Sequence, residues 1–193
     1  MTTTASETST RPFKGLDIPE AGVFAIDTAH SSVGFTVRHL VVAKTKGRFA
    51  DFSGHITIDD DPLKSSVDVT IQAASINTAE DARDNHLRSP DFLDVENYPT
   101  LSYKSTSVKH KGHSQFEVAG ELTVHGVSRP VTLSLDYEGV VTDPWGGQRA
   151  VFSASTKINR EDFGLTYNQV LETGGVLVGK DVQIDLEVEA VRQ

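Results

Sequence analysis

Over most of its length the chain alternates apolar and polar residues with a period of two. Val67-Asp68-Val69-Thr70-Ile71-Gln72-Ala73 does so cleanly, and so do residues 131–137 and 182–190. Successive side chains of a strand point to opposite faces, so each run carries one dry face and one wet face. That is the pattern of antiparallel sheet covered on one side, since parallel strands are apolar on both. Weaker runs of the same kind occupy residues 23–28, 32–40, 54–58, 100–105, 115–124 and 149–158. Glycine and proline stand between the runs, at Gly112, Gly126, Gly139, Pro144 and Gly146-Gly147. About nine strands are predicted.

One stretch reads as helix. Thr78 can act as N-cap, with Glu80 and Asp81 in the first turn, and residues 79–87 make two turns that stop before Pro90. So short a helix cannot cover that many strands, and the apolar faces must therefore cover one another. A sandwich or a closed barrel achieves this; closure also removes exposed edges, which favours an extended antiparallel barrel of roughly eight strands.

Charge decides which side is out. Asp68, Glu117, Glu121, Asp136, Asp185, Glu187 and Glu189 all fall opposite the apolar set. The inside is then lined by Val33, Phe35, Val37, Val67, Val69, Ile71, Val118, Leu122, Leu133, Leu135, Ile184, Leu186 and Val188. A barrel of this size either fills with side chains or holds one ligand. Ala73 and Gly120 are small inward residues, and the run 152–158 is thin whichever face points in. A lumen with room for an apolar ligand and a filled core both satisfy this pattern.

Composition narrows the class. The chain has 193 residues, a one-domain length, with 37% hydrophobic and 23% charged residues. It has no cysteine, which excludes disulfides, thiolate nucleophiles and cysteine-bound metal. The net charge of −9 argues against nucleic acid and anionic membrane surfaces as partners, because both require a basic face. No apolar run approaches the ~18 residues of a membrane helix. Seven of the first ten residues are Ser or Thr, with neither a basic cluster nor an apolar segment. No secretory signal is therefore expected, residues 1–22 read as a disordered tail before a domain at 23–193, and a cytoplasmic location is expected.

The chemistry-bearing residues are sparse. Seven histidines stand at 30, 39, 55, 86, 110, 113 and 125, with no recognisable ligand spacing, so no metal or other cofactor is expected. By alternation His39 shares the inward face of Val33, Phe35 and Val37, whereas His55 and His125 fall on the wet face. His110 and His113 flank Gly112 in a hairpin. Ser31 has no nucleophile-elbow context, and Gly174-Gly175 is a turn signal rather than a phosphate loop. Arg83-Asp84-Asn85-His86 reads either as a solvated helix face with a local ion pair or as a polar rim over the barrel mouth.

Several segments, in order, resemble the YceI family of polyisoprenoid-binding proteins. They begin with Asp27-x-x-His30-Ser31-x-Val33-x-Phe35-x-Val37-x-His39-Leu40, then Gly47-x-Phe49-x-x-Phe52-x-Gly54 and Ser75-Ile76-Asn77-Thr78. Arg83-Asp84-x-His86-Leu87, Asp91-Phe92-Leu93-Asp94 and Tyr98-Pro99 follow. Gly120-x-Leu122-Thr123-x-His125-Gly126-Val127-x-Arg129-Pro130 and Asn159-Arg160-x-Asp162-Phe163-Gly164 complete the set, from about residue 23 to 191. The resemblance implies a lipocalin-like barrel, often dimeric, that holds an isoprenoid chain such as a polyprenyl or quinone tail without catalysis. The lumen residues expected to touch the tail are Phe35, Val37, Phe49, Ile71, Phe92, Leu101, Tyr103, Leu122, Leu133, Leu135, Phe163 and Leu186. A pyrophosphate or quinone head would meet His39, Arg83, His86 and Arg160 at the mouth. The alternative is an enzyme in the same barrel, acting on a bound lipid or secondary metabolite, with His39 as general base oriented by Asp84.

Overall fold

The computed structural model describes residues 9–40, 42–172 and 174–193. Its strands are β1 (Thr10–Phe13), β2 (Leu16–Pro19), β3 (Gly22–Ile26), β4 (Ser32–His39), β5 (Ala43–Phe49), β6 (Phe52–Ile58) and β7 (Ser66–Gln72). After the two-residue β8 (Ile76–Asn77) comes the helix α1 (Asp81–Arg88). The long strands β9 (Thr100–Gly112), β10 (Gln115–Val124), β11 (Val127–Thr142), β12 (Gln148–Asn159) and β13 (Val178–Arg192) complete the chain.

Eight strands close a ring in the order β12-β11-β10-β9-β7-β6-β3-β13, every neighbour antiparallel. Closure is made by β13 returning onto β12, from Arg149 opposite Val191 to Asn159 opposite Asp181. The fold is thus the lipocalin-like barrel and not a sandwich. Strand β4 prolongs the line of β3 along β13, and β5 and β8 extend the sheet beyond β4.

The nine alternating runs correspond to β3, β4, β6, β7 and β9 through β13. Strand β5 escapes the pattern because its sequence, Ala-Lys-Thr-Lys-Gly-Arg-Phe, has one cationic face and an opposite face of Thr45, Gly47 and Phe49 with little apolar bulk. The helix begins two residues later than predicted. Its N-cap is Glu80, whose side chain accepts from Ala82 N–H at 3.2 Å, while Thr78 is held by Asp84 and Ala79 takes a left-handed conformation with φ 62°.

The expected disordered tail requires correction over the residues that are described; residues 1–8 lie outside them. Strands β1 and β2 form a hairpin with Thr10 opposite Pro19 and Phe13 opposite Leu16. The connecting Lys14-Gly15 has φ 48° and 86°, the two-residue turn in which glycine relieves the left-handed strain. Two prolines and only three large apolar residues hide this hairpin from a periodicity reading. Its order comes from tertiary contact: Phe13, Leu16 and Ile18 pack into a cluster with Phe24, Phe116, Tyr137 and Phe152.

The two ends of the barrel follow from the register. One end carries β3, the start of β10 and the Ala150–Ala190 pair, and is covered by the hairpin. The other carries the ends of β4 and β12 and is flanked by α1 and residues 160–172 and 174–177.

Candidate functional site

The barrel encloses a cavity of about 760 Å³. All thirteen inward positions read from alternation line it, and none of the seven outward acids does. Phe49, Phe92, Leu101, Tyr103 and Phe163 complete the wall residues expected from the resemblance, and all five line the cavity. Many of the wall aliphatics, among them Val33, Val69, Leu133, Ile184 and Leu186, are only half-buried although they point inward. A packed interior leaves few voids larger than a water molecule, whereas this volume falls in the range of small-ligand sites. Of the two interiors compatible with the pattern, the structure has the lumen.

The room does not come from Ala73 and Gly120, which do not line the cavity. A Cβ on Gly120 would lie 2.6 Å from the Tyr103 ring, so that glycine makes space for the tyrosine rather than for a ligand. Tyr103 then points its hydroxyl at the carbonyls of Val118 (2.8 Å) and Val131 (3.2 Å). Burial pushes its phenol up to about 12, so it stays a neutral donor at physiological pH. Gly47 serves Phe35 in the same way. The thin strand β12 does add space: Ala154 and Thr156 face inward between Phe152 and Ile158.

Nitrogen donors gather at the end near α1. His39, Arg83, His86 and Arg160 all line the cavity there. Arg160 is 4% exposed and starts the 3-10 turn Arg160–Phe163. Its guanidinium donates to the carbonyls of Gly179 (2.9 Å), Leu165 and Val178 (3.5 Å). Burial pushes it below the ordinary guanidinium range, with the nearby Glu161 opposing. Arg83 is exposed and donates to Thr78 Oγ1 (2.7 Å) and the Thr78 carbonyl (2.9 Å). Among the described residues neither arginine forms a salt bridge with a carboxylate. His86 bonds Asp91 Oδ2 at 2.8 Å and meets Phe92 and Tyr167 edge-on at 5.1 and 4.9 Å.

The Arg83-Asp84-Asn85-His86 segment thus belongs to the rim of the cavity, not to a simple solvated face. Asp84 departs from the expectation that it orients His39. It is 3% exposed and accepts from Thr78 N–H (2.8 Å) and Thr78 Oγ1 (2.5 Å), so its role is to brace the start of the helix. No hydrogen bond joins Asp84 to His39 among the described residues, which removes the base–orienter pair of the enzymatic alternative.

Sequence reading missed four contributors. Tyr167 and Leu177 lie in a segment without periodicity, and Ile18 with Pro19 lay in the supposed tail; all four line the cavity. The remaining histidines are elsewhere. His55 is exposed, His125 sits in the β10–β11 turn 4.5 Å from Tyr98 rather than on a strand face, and His110 packs on Phe13 and Phe116. Asp27, His30 and Glu189 bring one ligand atom each within 4.8 Å of one another. Arg149 already supplies positive charge to that group, with Nη1 at 2.7 Å from Asp27 and 2.5 Å from Glu189 and Nε at 2.9 Å from Asp143.

A closed eight-stranded antiparallel barrel around one apolar cavity is a lipocalin-like architecture. The chain belongs to the YceI-like domain family, whose profile matches residues 24–190. It is 39% identical over 176 residues to a UPF0312 protein of Vibrio cholerae, covering 90% of this chain and 89% of the relative. The crystal structure of the Campylobacter jejuni YCEI protein superposes with a TM-score of 0.69 at 33% identity, covering 86% of this chain and 96% of that one. A domain from Saccharophagus degradans, described as polyisoprenoid-binding and implicated in plant cell wall breakdown, superposes with a TM-score of 0.67 at 15% identity, covering 90% and 100%.

Proposed function

We propose that the protein is a non-catalytic carrier or reservoir of an isoprenoid lipid, a polyprenyl phosphate or a quinone-like molecule, with its tail in the barrel. The observation that carries this reading is the unfilled cavity of about 760 Å³ behind a wall of aliphatic and aromatic side chains. Moving apolar groups from water into such a space contributes about 0.8 kcal/mol per methylene. Ordering a flexible tail offsets part of that gain. The polyisoprenoid-binding description of the S. degradans domain, which shares the barrel, supports an isoprenoid over other apolar chains.

In this reading the tail supplies affinity and the head supplies discrimination. Arg160 and Arg83 carry positive charge with no carboxylate salt bridge among the described residues, and His39 and His86 line the same end. An anionic or carbonyl-bearing head would accept hydrogen bonds from them.

Organic extraction of the purified protein, followed by mass spectrometry, is the direct test. A co-purifying prenyl lipid is the expected result, and a protein that neither carries nor takes up any prenyl chain sinks the proposal. The Arg83→Ala/His86→Ala double variant should weaken a prenyl pyrophosphate about tenfold or more while leaving the bare prenol nearly unchanged. Equal losses for both ligands would remove the head-group assignment.

A further inference from the structure

The hairpin of β1 and β2 stands apart from the rest of the molecule. It precedes the family-matched region 24–190, and it forms its own two-stranded sheet with no ladder to the barrel. The ring of eight strands closes without it. Yet Pro19 is among the fully buried side chains, Ile18 is 6% exposed, and both line the cavity. They do so at the end opposite Arg160, beside Phe24, Tyr137 and Phe152.

Its attachment is specific. Tyr137 donates its hydroxyl to the carbonyl of Asp17 at 2.8 Å. Arg11 donates to the carbonyl of Pro19 at 3.1 Å and to those of Asp59 and Asp60 beyond the end of β6. Gln148 at the start of β12 donates to the carbonyl of Ser9 at 2.5 Å. Three separate parts of the barrel therefore hold the hairpin across one opening: the carbonyls of Asp17 and Ser9 accept from Tyr137 and Gln148, and Arg11 donates to the chain after β6.

We propose that this hairpin is a fitted floor that sets the longest tail the cavity accepts, with Ile18 as the residue against which the tail end stops. A tail entering beside Arg160 runs down the barrel toward β3 and meets Ile18 and Pro19, not solvent. The floor makes the cavity a blind sac, whereas the ring of strands alone would be a tube open beside Phe24. This rests on the proposed function, which supplies the tail; the floor itself rests on the burial and anchoring of the hairpin.

The test loads delipidated full-length protein with a ladder of polyprenols and, in parallel, a ladder of straight-chain fatty alcohols, and reads the longest retained chain by native mass spectrometry. Wild type should show a sharp upper length. Ile18→Trp should shorten that limit by about one isoprene unit or its methylene equivalent, and Ile18→Ala should lengthen it by a similar step, in proportion to the volume exchanged. Removal of residues 9–19 should abolish the limit; since that variant can also fail to fold, the two point variants carry the decision. A limit that stays put in both Ile18 variants while chains still bind overturns the floor and leaves the carrier reading intact. A limit that moves with Ile18 for fatty alcohols, with no prenol bound, keeps the floor and overturns the isoprenoid reading. No retained chain of either kind overturns both.

Discussion

At one end of the barrel the chain packs Phe24, Ala150 and Ala190 with no exposed surface and lays a hairpin over them. At the other it leaves a short helix, a 3-10 turn and a long loop around a group of arginines and histidines. The first end packs aromatic rings and alanines; the second sets nitrogen donors that range from the buried Arg160 to the exposed Arg83 beside buried apolar residues such as Ile76, Leu93 and Phe163. Between them the wall side chains touch each other sideways and face empty space inward. The comparison shows how one closed sheet can be stable without being full: two buried apolar clusters and the strand ladder hold the barrel, so the cavity beside them need not be filled.

The largest effect should separate floor from wall. Phe24→Ala removes a ring packed on all sides and should cost about 4 kcal/mol in urea unfolding. Leu133→Ala and Leu186→Ala face the cavity already, so each should cost only about 1–2 kcal/mol, because no new void opens around them. Equal costs at the two places would mean that the wall is packed like the floor and that the cavity is not vacant.

Next in size is Arg160. In Arg160→Met the carbonyls of Gly179 and Leu165 lose this donor, while that of Val178 keeps Asn168 Nδ2 at 2.7 Å, so the loss should be about 1 kcal/mol each, or about 2 kcal/mol together. The same variant should lose preference for an anionic head in the lipid-binding assay while keeping affinity for a neutral prenol. A variant as stable as wild type would show that these carbonyls are satisfied without the guanidinium.

The smallest effect concerns pH at the floor end. The Arg149 guanidinium, with help from His30, holds the Asp27 carboxyl down at about 2, below the ordinary value of 3.8. A carboxyl lowered on folding adds stability that is complete above its unfolded pKa and disappears as pH falls through the folded value. Stability should therefore fall between about pH 4 and pH 2, by about 1–2 kcal/mol once solvent screening of this partly exposed pair is counted. Arg149→Met should flatten that part of the acid unfolding curve. An unchanged acid slope would show that the pair does not couple to folding.

How much was legible in the sequence differs between wall and ends. Strands such as β7, β10 and β13 were readable because each has one face in water and one in the lumen, and that alternation writes itself into residue choice. The thirteen wall positions followed from the same rule. Arg83, His86 and Arg160 could be placed at the rim by their segments, yet nothing local showed that Asp84 would be claimed by Thr78, because that bond spans a turn defined by the left-handed Ala79. Tyr167 and Ile18 reach the cavity from segments with no period at all.

Sequence alone determined the strand class, the inward and outward faces, and hence an apolar interior walled off from seven outward acids, since binary patterning acts residue by residue. Whether that interior would be filled, which end would be shut, and by what, was decided only in three dimensions. Those outcomes depend on distances across the barrel, such as the Tyr103 ring over Gly120 and Tyr137 reaching Asp17, between residues whose separation along the chain carries no signal of their contact.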